Sequence, residues 1–329
     1  MTPRSRVLPL FIPHLGCPHD CVFCNQRSVT GQQRPATSAD VETALENLAA
    51  PVDELAYYGG SFTALPRAEQ EALLGAAQPF LERGRVKRLR VSTRPDAIDG
   101  EILDLLQENH VETVELGAQS MDDGVLLSCG RGHTAADTVR AAQMVKARGF
   151  RLILQMMTGL PGSSDETDLS TGERLAALSP DGMRVYPTVI SRGTPLYALW
   201  RRGEYREHTV EDAVRVCAKL LPVFEAAGIP VIRLGLNPTE ELSAGEAAGG
   251  AYHPALGELV KSRLYLEKAR TLLHGSRPGD SVTLGVCKSE ISQMTGQHRQ
   301  NIEVLKREFR LRALRVAAAD LPKGKVVAL

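Results

Sequence analysis

Three cysteines lie close together near the start of the chain, at Cys17, Cys21 and Cys24. Three thiolates at this spacing can hold one face of a metal centre. A structural zinc ion normally takes four protein ligands, so the fourth would have to be His14, His19 or a distant cysteine. A 4Fe-4S cluster held by three cysteines instead leaves one iron open, and an open iron can bind a substrate or cofactor. The spacing alone leaves both kinds of site open.

Glycines and polar residues recur at other points where a predicted strand ends. Gly59-Gly60 follows one such strand, and residues without a side chain let a backbone approach a ligand closely. Polar side chains that suit a ribose or a carboxylate follow other strands. Each of these segments also fits an ordinary turn or helix cap. They are residues 92–96, 115–120 and the glycine-rich 157–162, while residues 131–134 enter the next predicted helix.

The elements that carry these residues alternate between strand and helix, which favours a parallel sheet covered by helices. The strands are predicted at residues 7–12, 54–58, 88–93, 113–116, 151–157 and 183–189, and the helices at 40–48, 67–81, 101–108, 134–148 and 165–178. Six units are too few for a closed eight-fold barrel. We therefore predict an α/β fold with a partial (β/α)6 TIM-like barrel, and an open doubly wound sheet is the alternative. A further helix (210–227) and strand (231–236) follow, and residues 239–250 read as a loop.

The pattern Cys-x3-Cys-x2-Cys, with Phe23 before the last cysteine, resembles the signature of the radical S-adenosylmethionine (SAM) enzymes. The resemblance implies that the three cysteines ligate a 4Fe-4S cluster, whose open iron binds the amino and carboxylate groups of SAM. In that family, reductive cleavage of SAM gives a 5′-deoxyadenosyl radical, with electrons from a donor such as flavodoxin or ferredoxin. The resemblance also implies a set of SAM contacts: Phe23, Gly59, Gly60, Ser61, Phe62, Thr63, Ser92, Arg94, Glu115, Gln119 and Gly159.

The strand-end motifs, over roughly residues 5–265, are similar to the radical core of the Elongator catalytic subunit, which modifies wobble uridine in transfer RNA. No segment of this chain after the similar region is long enough to be the acetyltransferase domain of that subunit. It also has Ser92 where the third-strand motif typically begins with Glu, so neither acetyl-coenzyme A nor carboxymethyl chemistry is implied. Oxygen-independent coproporphyrinogen oxidases are more distant, because they carry an extra cysteine where this chain has Asn25-Gln26.

The last 49 residues differ from the rest in pattern and in charge. A strand (281–286), a helix (288–294), a turn beginning at Gly296, a helix (301–309) and a strand (311–316) follow in the order of a K-homology core, which clamps a nucleic-acid backbone at a Gly-x-x-Gly loop. Arg299 replaces the second glycine. Residues 281–329 contain nine basic and four acidic side chains, a net charge of +5, so the rest of the chain carries −5. A solvated basic helix explains the same pattern without RNA.

The chain of 329 residues has zero net charge, 43% hydrophobic and 24% charged residues, an ordinary globular composition. It has no apolar run near the ~20 residues that span a bilayer. It also has no signal peptide pattern, so we expect it in the cytoplasm. We predict a core domain over residues 1–238 and a C-terminal extension over 239–329.

Together these features predict a radical SAM enzyme that acts on RNA, with transfer RNA as the substrate that the resemblance implies. Two alternatives stay open. The first is a radical SAM enzyme acting on a small metabolite or tetrapyrrole, and the second is an RNA-binding protein with a structural or redox-sensing cluster. Four residues could face the substrate, although each also has an ordinary structural explanation: Tyr186, Arg233, Tyr252 and His253.

Overall fold

A computed structural model describes residues 6–26, 34–236 and 246–329. The chain divides into two compact units. The N-terminal unit comprises Met1–Thr209 and Leu220–Tyr252, and the C-terminal unit comprises Val210–Lys219 and His253–Leu329. In the described part of the chain, no helix is long and apolar enough to cross a membrane.

A seven-stranded sheet, parallel throughout, forms the centre of the N-terminal unit. Its strand order is β1-β2-β3-β4-β5-β6-β8, so the strands follow the chain around a partial barrel. The α/β partial-barrel prediction is confirmed, and the strand assigned to a further unit joins the same sheet beside β6. The strands are β1 (Val7–Phe11), β2 (Val52–Tyr58), β3 (Val86–Thr93), β4 (Val111–Gln119), β5 (Arg151–Thr158), β6 (Gly182–Pro187) and β8 (Val231–Leu234).

Helices follow the strands, and side chains at their starts satisfy the free N–H groups of the first turn. Thr37, Thr134 and Ser164 form capping boxes, and Asp99 and Asp122 each accept one N–H. The described helices of the N-terminal unit are α1 (Ser38–Glu46), α2 (Arg67–Gly75), α3 (Gln78–Glu82), α4 (Gly100–Glu108), α5 (Asp123–Ser128), α6 (Ala135–Ala147), α7 (Asp165–Ala177) and α8 (Pro195–Arg201), while α9 (Val210–Ala226) contributes to both units.

The prediction of one continuous helix over residues 67–81 is wrong. The structure breaks it into α2 and α3 at Ala76 and Ala77. Pro79 explains the break, because proline lacks an N–H and its ring collides with the carbonyl four residues earlier in a continuous helix. Proline is well tolerated in the first turn of a new helix, which is where Pro79 lies.

A short antiparallel pair corrects two sequence predictions. The strand predicted at 183–189 ends at Pro187, and β7 (Val189–Ser191) pairs instead with β9 (Ala247–Gly250). The loop predicted at residues 239–250 is therefore wrong for residues 247–250, and residues 237–245 lie outside the described part of the chain. Alanine and glycine have low strand propensity, so the pairing partner and not the local sequence determines β9.

The two faces of the central sheet differ in chemistry. Leu55 and Tyr57 on β2 are fully buried, and the Tyr57 hydroxyl donates to the Leu73 carbonyl of α2 at 2.6 Å, so this face packs against the helices. Since neighbouring residues on a strand point to opposite faces, Glu54 and Tyr58 point toward the barrel interior. The core therefore lies between sheet and helices, and the interior is lined by polar side chains.

The C-terminal unit begins after β9 with α10 (Leu256–Leu273), apart from the first part of α9. Its remaining elements are β10 (Ser281–Val286), a 3-10 turn (Lys288–Glu290), α11 (Ile291–Thr295), α12 (Gln300–Glu308), β11 (Ala313–Ala318) and β12 (Val326–Ala328). The predicted order of strand, helix, turn, helix and strand is confirmed. β12 was not predicted, because three residues are too few to show strand alternation.

The sheet of the C-terminal unit has the order β11-β10-β12, with β11 parallel and β12 antiparallel to β10. One face packs on α10 to α12 through an apolar core that includes Leu273, Leu284, Met294 and Leu305. At the turn between α11 and α12, Gly296, His298 and Arg299 all have positive φ. A left-handed backbone at two consecutive non-glycine residues is uncommon.

Candidate active site

The cysteine loop follows β1, and the Gly59-Gly60 turn follows β2, which is the neighbouring strand. The two loops are in direct backbone contact, since the Ser61 N–H donates to the Leu15 carbonyl at 2.9 Å. A Cβ at Gly60 would collide with the carbonyl oxygens of Leu15 and Ile12. The close approach that Gly60 permits is therefore to the start of the cysteine loop, which fixes the two loops together.

Three polar side chains contact the thiols of the cysteine loop. The Ser61 hydroxyl lies 3.6 Å from Cys17 Sγ, and the Gln26 side-chain amide lies 3.9 Å from the same sulfur. Arg131 Nη1 donates to Cys21 Sγ at 3.5 Å. Hydrogen bonds to sulfur are among the contacts by which proteins tune iron–sulfur clusters, so this loop has the surroundings of a cluster site.

The thiol of Cys24 titrates far from its ordinary range. Burial, with smaller effects of the neighbouring Cys21 and Cys17, raises the pKa of Cys24 to about 12, against the opposing effects of Arg131 and Gln26. A metal centre that binds these thiols must displace their protons. In the described residues, no three His, Cys, Asp or Glu side chains are arranged to hold a metal ion, and this includes Cys17, Cys21 and Cys24. Three cysteines are the ligand set of a 4Fe-4S cluster with an open iron, whereas a structural zinc ion takes four ligands, so the residue types of this loop suit the cluster better.

Phe23 lies between two apolar clusters that border the cysteine loop. One contains Cys129, Met157 and Leu160, and the other contains Tyr205 with Ile190 and Leu196. Phe23 thereby connects the cysteine loop to the loop after β5 and to the segment around β7. The backbone adds to this connection, because the Val22 N–H donates to the Cys129 carbonyl at 3.0 Å.

The end of β4 is irregular where it meets the site. The pairing of β4 with β5 shifts register between Gly117 and Gln119, and Gln119 has a φ of 64°. Such bulges redirect side chains at functional sites. Here Gln119 Oε1 accepts from Gln155 Nε2 at 3.0 Å, and Arg131 Nη2 donates to the Gly117 carbonyl at 2.7 Å. A side chain at position 117 would collide with both Gln119 and Arg131.

Arg94, predicted as a SAM contact, directs Nε and Nη2 to other protein groups, while its buried Nη1 has no hydrogen-bond partner among the described atoms. Its side chain is buried and donates to both carboxylate oxygens of Asp96, at 2.9 and 3.0 Å, and to the Arg131 carbonyl at 2.6 Å. The bidentate ion pair holds Arg94 in place, and Arg94 in turn fixes the backbone of Arg131. This geometry favours a supporting role for Arg94.

Several other predicted site residues are also tied into the protein. Phe62 is fully buried and packs on Tyr57, with ring centroids 5.1 Å apart. The Thr63 hydroxyl bonds to Thr93 and to the Ala97 carbonyl, both at 2.6 Å. Ser92 lies half-buried on the interior-facing side of β3.

Glu115 belongs to a row of charges in the barrel interior. Its carboxylate lies 3.3 Å from Arg90 and 3.2 Å from Arg184, and Arg90 reaches Glu54 at 2.5 Å. Arg184 also donates to the hydroxyl groups of Tyr58 and Tyr186, at 2.5 and 3.0 Å. Glu115 Oε2 is therefore engaged by two arginines within the protein.

Gly159 stands at the end of β5 with a φ of 71°, in the left-handed region that favours glycine. Its N–H donates to Asp168 Oδ2 at 2.8 Å, and its carbonyl accepts from the Tyr205 hydroxyl at 2.6 Å. The His208 ring occupies the space that a Cβ would need. Glycine is required here to accommodate His208.

Of the four candidate substrate residues, Tyr186 packs against the apolar cluster of Cys129 and Met157, which Phe23 of the cysteine loop also contacts. Arg233 is half-buried, and its Nε donates to the Gly235 carbonyl at 2.8 Å. Tyr252 is half-buried at the end of the N-terminal unit. His253 belongs to the C-terminal unit, where it accepts the Ala255 N–H at 3.1 Å.

Sequence reasoning assigned no role to Gln26, Arg131, Asp168 or Tyr205, which the structure brings to the predicted site. Arg131 begins the segment 131–134 (Arg-Gly-His-Thr), but its contact with Cys21 joins residues 110 positions apart in the sequence. Gln26 lies two residues beyond the last cysteine, and this closeness was the only available signal. Nothing in the local sequence distinguishes Asp168 from the other acidic residues of α7.

Comparison with known proteins is consistent with this geometry. Residues 11–175 match the model of the radical SAM superfamily, and residues 180–266 match that of the Radical_SAM C-terminal domain. The chain is 30% identical over 299 residues to a tRNA uridine(34) acetyltransferase of Methanocaldococcus infernus, covering 77% of this chain and 54% of that protein. It is 31% identical over 199 residues to Elongator complex protein 3 of Schizosaccharomyces pombe, covering 54% of this chain and 37% of that protein. The chain thus spans about half the length of the curated relatives it matches, or less.

Solved structures give the same result. The archaeal Methanocaldococcus infernus Elp3, with residues 1–46 deleted, superposes with a TM-score of 0.62 at 26% identity, covering 80% of this chain and 63% of that one. Coproporphyrinogen III oxidase (HemN) from Escherichia coli shares the fold, with a TM-score of 0.51 at 18% identity, covering 68% of this chain and 53% of that one. The family model covers half of the chain, and the strand-end loops it includes carry the cysteine motif. The chain belongs to the radical SAM superfamily of enzymes.

Proposed function

We propose that Cys17, Cys21 and Cys24 hold a 4Fe-4S cluster and that the loops at the carboxyl ends of β1 to β5 hold SAM beside it. The observation that carries this proposal is the packing of the cysteine loop onto the Gly59–Ser61 turn, with Arg131 in contact with Cys21. A 4Fe-4S cluster bound by these cysteines would supply the electron chemistry for SAM cleavage, with a flavodoxin or ferredoxin as the proposed electron donor. The protein's own residues bind and orient the cofactor.

Arg131 is the residue best placed to receive the carboxylate of SAM. It is only 8% exposed, and its Nε has no hydrogen-bond partner among the described atoms. A buried guanidinium pairs most strongly with a carboxylate. Gly59, Gly60 and Ser61 line the neighbouring turn, where backbone carbonyls suit the amino group.

The ribose and adenine of SAM are then assigned to the ends of β3, β4 and β5. Ser92 and Gln119 offer polar groups for the ribose, and Phe23 with Gly159 borders the adenine. We assign supporting roles to residues whose side chains contact other protein groups: Glu115, Phe62 and Thr63. Arg94 also supports Arg131, and its unpartnered Nη1 leaves a donor for a ligand. The residues predicted as SAM contacts are thus divided into those that we propose to touch SAM and those that hold the first group in place.

The cluster assignment is tested by anaerobic reconstitution with iron and sulfide. We expect about four irons and four sulfides per chain, and their loss on Cys21→Ser substitution. The matched control is Cys217→Ser, which changes a buried cysteine of α9 outside the motif. Equal iron content in Cys21→Ser and wild type would contradict the assignment.

We propose RNA, and specifically transfer RNA, as the substrate. Two observations support this: two curated relatives are a tRNA uridine(34) acetyltransferase and Elongator complex protein 3, and the C-terminal unit is basic. Within the described residues, eight basic side chains of residues 281–329 make neither an ion pair nor a side-chain hydrogen bond, and all but Lys306 are exposed, as a phosphate-binding surface requires. They are Lys288, Arg299, Lys306, Arg307, Arg310, Arg315, Lys323 and Lys325.

The turn over residues 296–299 is the part of this unit that we propose to contact the RNA backbone, as in a K-homology core. Gln297, His298 and Arg299 are exposed there, and α12 follows directly. Arg299 in place of the second glycine adds a charge that a phosphate can use.

Nucleoside mass spectrometry of transfer RNA from cells with and without the gene tests the substrate. We expect one modified nucleoside to disappear with the gene and to return with the wild-type protein but not with Cys21→Ser. An unchanged nucleoside profile, together with SAM cleavage by the purified protein, would contradict RNA and favour a small metabolite or tetrapyrrole. Retained RNA binding without SAM cleavage would favour an RNA-binding protein with a structural or redox-sensing cluster.

A further inference from the structure

The loop after β5 is held at its first residue from two opposite sides. The Gly159 N–H donates to Asp168 Oδ2 at 2.8 Å, and the Gly159 carbonyl accepts from the Tyr205 hydroxyl at 2.6 Å. Asp168 is 4% exposed and Tyr205 is 8% exposed. Both hydrogen-bonding groups of this glycine are therefore engaged by the protein's own side chains.

The preceding residue is held in the same way. The Thr158 carbonyl accepts from the N–H and the hydroxyl of Thr188, at 2.9 and 2.7 Å. The Thr158 hydroxyl lies 3.1 Å from His208 Nε2. With the His208 ring packed against Gly159, four side chains from α7, the segment after β6 and the segment after α8 fix two consecutive residues.

A buried carboxylate needs a reason, because burial without compensation disfavours its charged form. In Asp168, burial raises the pKa to about 7, although the Gly159 N–H acts in the opposite direction. The carboxyl group therefore destabilises the fold near neutral pH relative to an exposed carboxylate. Buried carboxyl groups with a raised pKa, such as Asp168, are common at functional sites.

Tyr205 connects this loop to the cysteine loop. Its ring packs in the apolar cluster of Ile190 and Leu196, against which Phe23 also packs. Phe23 precedes Cys24 directly and also contacts the cluster that contains Leu160. The position of Gly159 is thus linked to the position of the third cysteine through two aromatic residues, Tyr205 and Phe23.

We propose that Asp168 and Tyr205 are positioning residues that fix the loop of residues 159–162 in its cofactor-binding conformation before SAM arrives. This inference rests on the proposed function, in which Gly159 borders the adenine. Because both polar groups of Gly159 are occupied, the loop recognises adenine by its shape and by the groups that follow Gly159. Fixing the loop in advance removes the ordering cost from binding.

Hydrogen–deuterium exchange and SAM binding test the proposal, both on the cluster-loaded protein. Asp168→Leu removes the acceptor with little change in size, Asp168→Asn keeps an acceptor oxygen, and Tyr205→Phe removes only the hydroxyl. Glu173→Gln, an exposed position on the same helix, is the control. A lost hydrogen bond of this kind corresponds to roughly a ten-fold change in an equilibrium.

For Asp168→Leu and Tyr205→Phe we expect faster exchange in the peptide that contains Gly159 and roughly ten-fold weaker SAM binding. Asp168→Asn and Glu173→Gln should resemble wild type in both measurements. Unchanged exchange in Asp168→Leu would show that Asp168 does not hold the loop of residues 159–162. Faster exchange with unchanged SAM affinity would show that holding this loop does not position it for SAM. Wild-type protein that loads a cluster but does not bind SAM would overturn the proposed function itself, while exchange would still report whether the loop is held.

Discussion

Arg131 brings together three features of the candidate site at the scale of single residues. Its guanidinium contacts the Cys21 thiol and the Gly117 carbonyl, and its backbone is held by Arg94. A rigid fork of donors can satisfy several acceptors at once, whereas an ammonium group is a compact point charge. The residue type, and not only its charge, therefore matters at this position.

We expect Arg131→Lys to load its cluster as wild type does but to bind SAM at least about ten-fold more weakly, because the lysine cannot keep both contacts and also pair with a carboxylate. Isothermal titration with SAM, alongside iron and sulfide analysis, provides the measurement. Arg140→Lys, on the exposed surface of α6, is the control. Wild-type SAM affinity in Arg131→Lys would contradict the assignment of the carboxylate.

Asp168 also predicts a dependence of stability on pH. Burial raises its pKa from 3.8 to about 7, so between these values the folded protein binds more protons than the unfolded chain, and stability falls as pH rises. His133 acts oppositely, because burial lowers its pKa from 6.5 to about 4. We therefore expect Asp168→Asn to gain stability relative to wild type as pH rises from about 4 to 7.

Urea unfolding of Asp168→Asn and wild type at several pH values measures this difference. The paired comparison cancels the contribution of His133, which both proteins share. A stability difference that stays constant from about pH 4 to 7 would show that Asp168 does not titrate as its burial implies.

The sequence predicts individual site residues only where neighbours along the chain form a pattern. The spacing of Cys17, Cys21 and Cys24 predicts a metal site, and the position of Gly59-Gly60 after a strand predicts a close backbone approach. The contacts of Asp168 and Tyr205 with Gly159 span 9 and 46 residues and leave no local trace. Such partners follow from the tertiary structure, because side chains from different elements meet only in the fold.

At the scale of elements, the inner face of the sheet carries a row of paired charges. Glu115 on β4 lies between Arg90 on β3 and Arg184 on β6, and it is 2% exposed. Removing one member of a buried ion pair leaves its partners without compensation, which is costlier than the loss of an exposed pair. The row therefore ties neighbouring strands together below the site.

We expect Glu115→Gln to lower the free energy of unfolding by about 3–5 kcal/mol, because Arg90 and Arg184 would stay buried without their shared carboxylate. Glu71→Gln, which breaks the exposed Arg67–Glu71 pair of α2, should change little. Chemical denaturation of both variants measures the difference. Equal effects of the two substitutions would contradict the importance of the inner row.

Some helix and strand boundaries do not follow from local sequence patterns. The long strands and capped helices were predictable, because alternation and cap residues act locally. The break at Pro79 and the strands β9 and β12 were not. β9 consists of Ala and Gly and exists through its pairing with β7, and β12 has only three residues. In each case a tertiary contact or a proline outweighs the local pattern.

At the scale of the whole molecule, a net charge of zero conceals an uneven distribution. Residues 281–329 carry +5, and the rest of the chain carries −5. The acidic residue of α12 at position 308 is paired with Arg270, while Lys306, Arg307 and Arg310 make no ion pair within the described residues. The basic excess of the C-terminal unit is thus available to a polyanion.

We expect Lys306→Glu combined with Arg307→Glu and Arg310→Glu to weaken binding of transfer RNA by at least about ten-fold and to flatten the dependence of affinity on salt, because phosphate contacts are lost. Filter binding at several salt concentrations provides the measurement. Reversal of Arg67 and Arg140, exposed basic residues of the N-terminal unit, is the control. Unchanged affinity and salt dependence in the triple variant would exclude this surface.

Formation of 5′-deoxyadenosine tests the central claim most directly. The anaerobically reconstituted protein is reduced in the presence of SAM, and the nucleoside is quantified by chromatography and mass spectrometry. We predict that wild type forms 5′-deoxyadenosine, that Cys217→Ser does so at a similar rate, and that Cys21→Ser forms none. A wild-type protein that carries its full cluster and binds SAM but forms no 5′-deoxyadenosine, or a Cys21→Ser variant that forms it at the wild-type rate, would contradict the account.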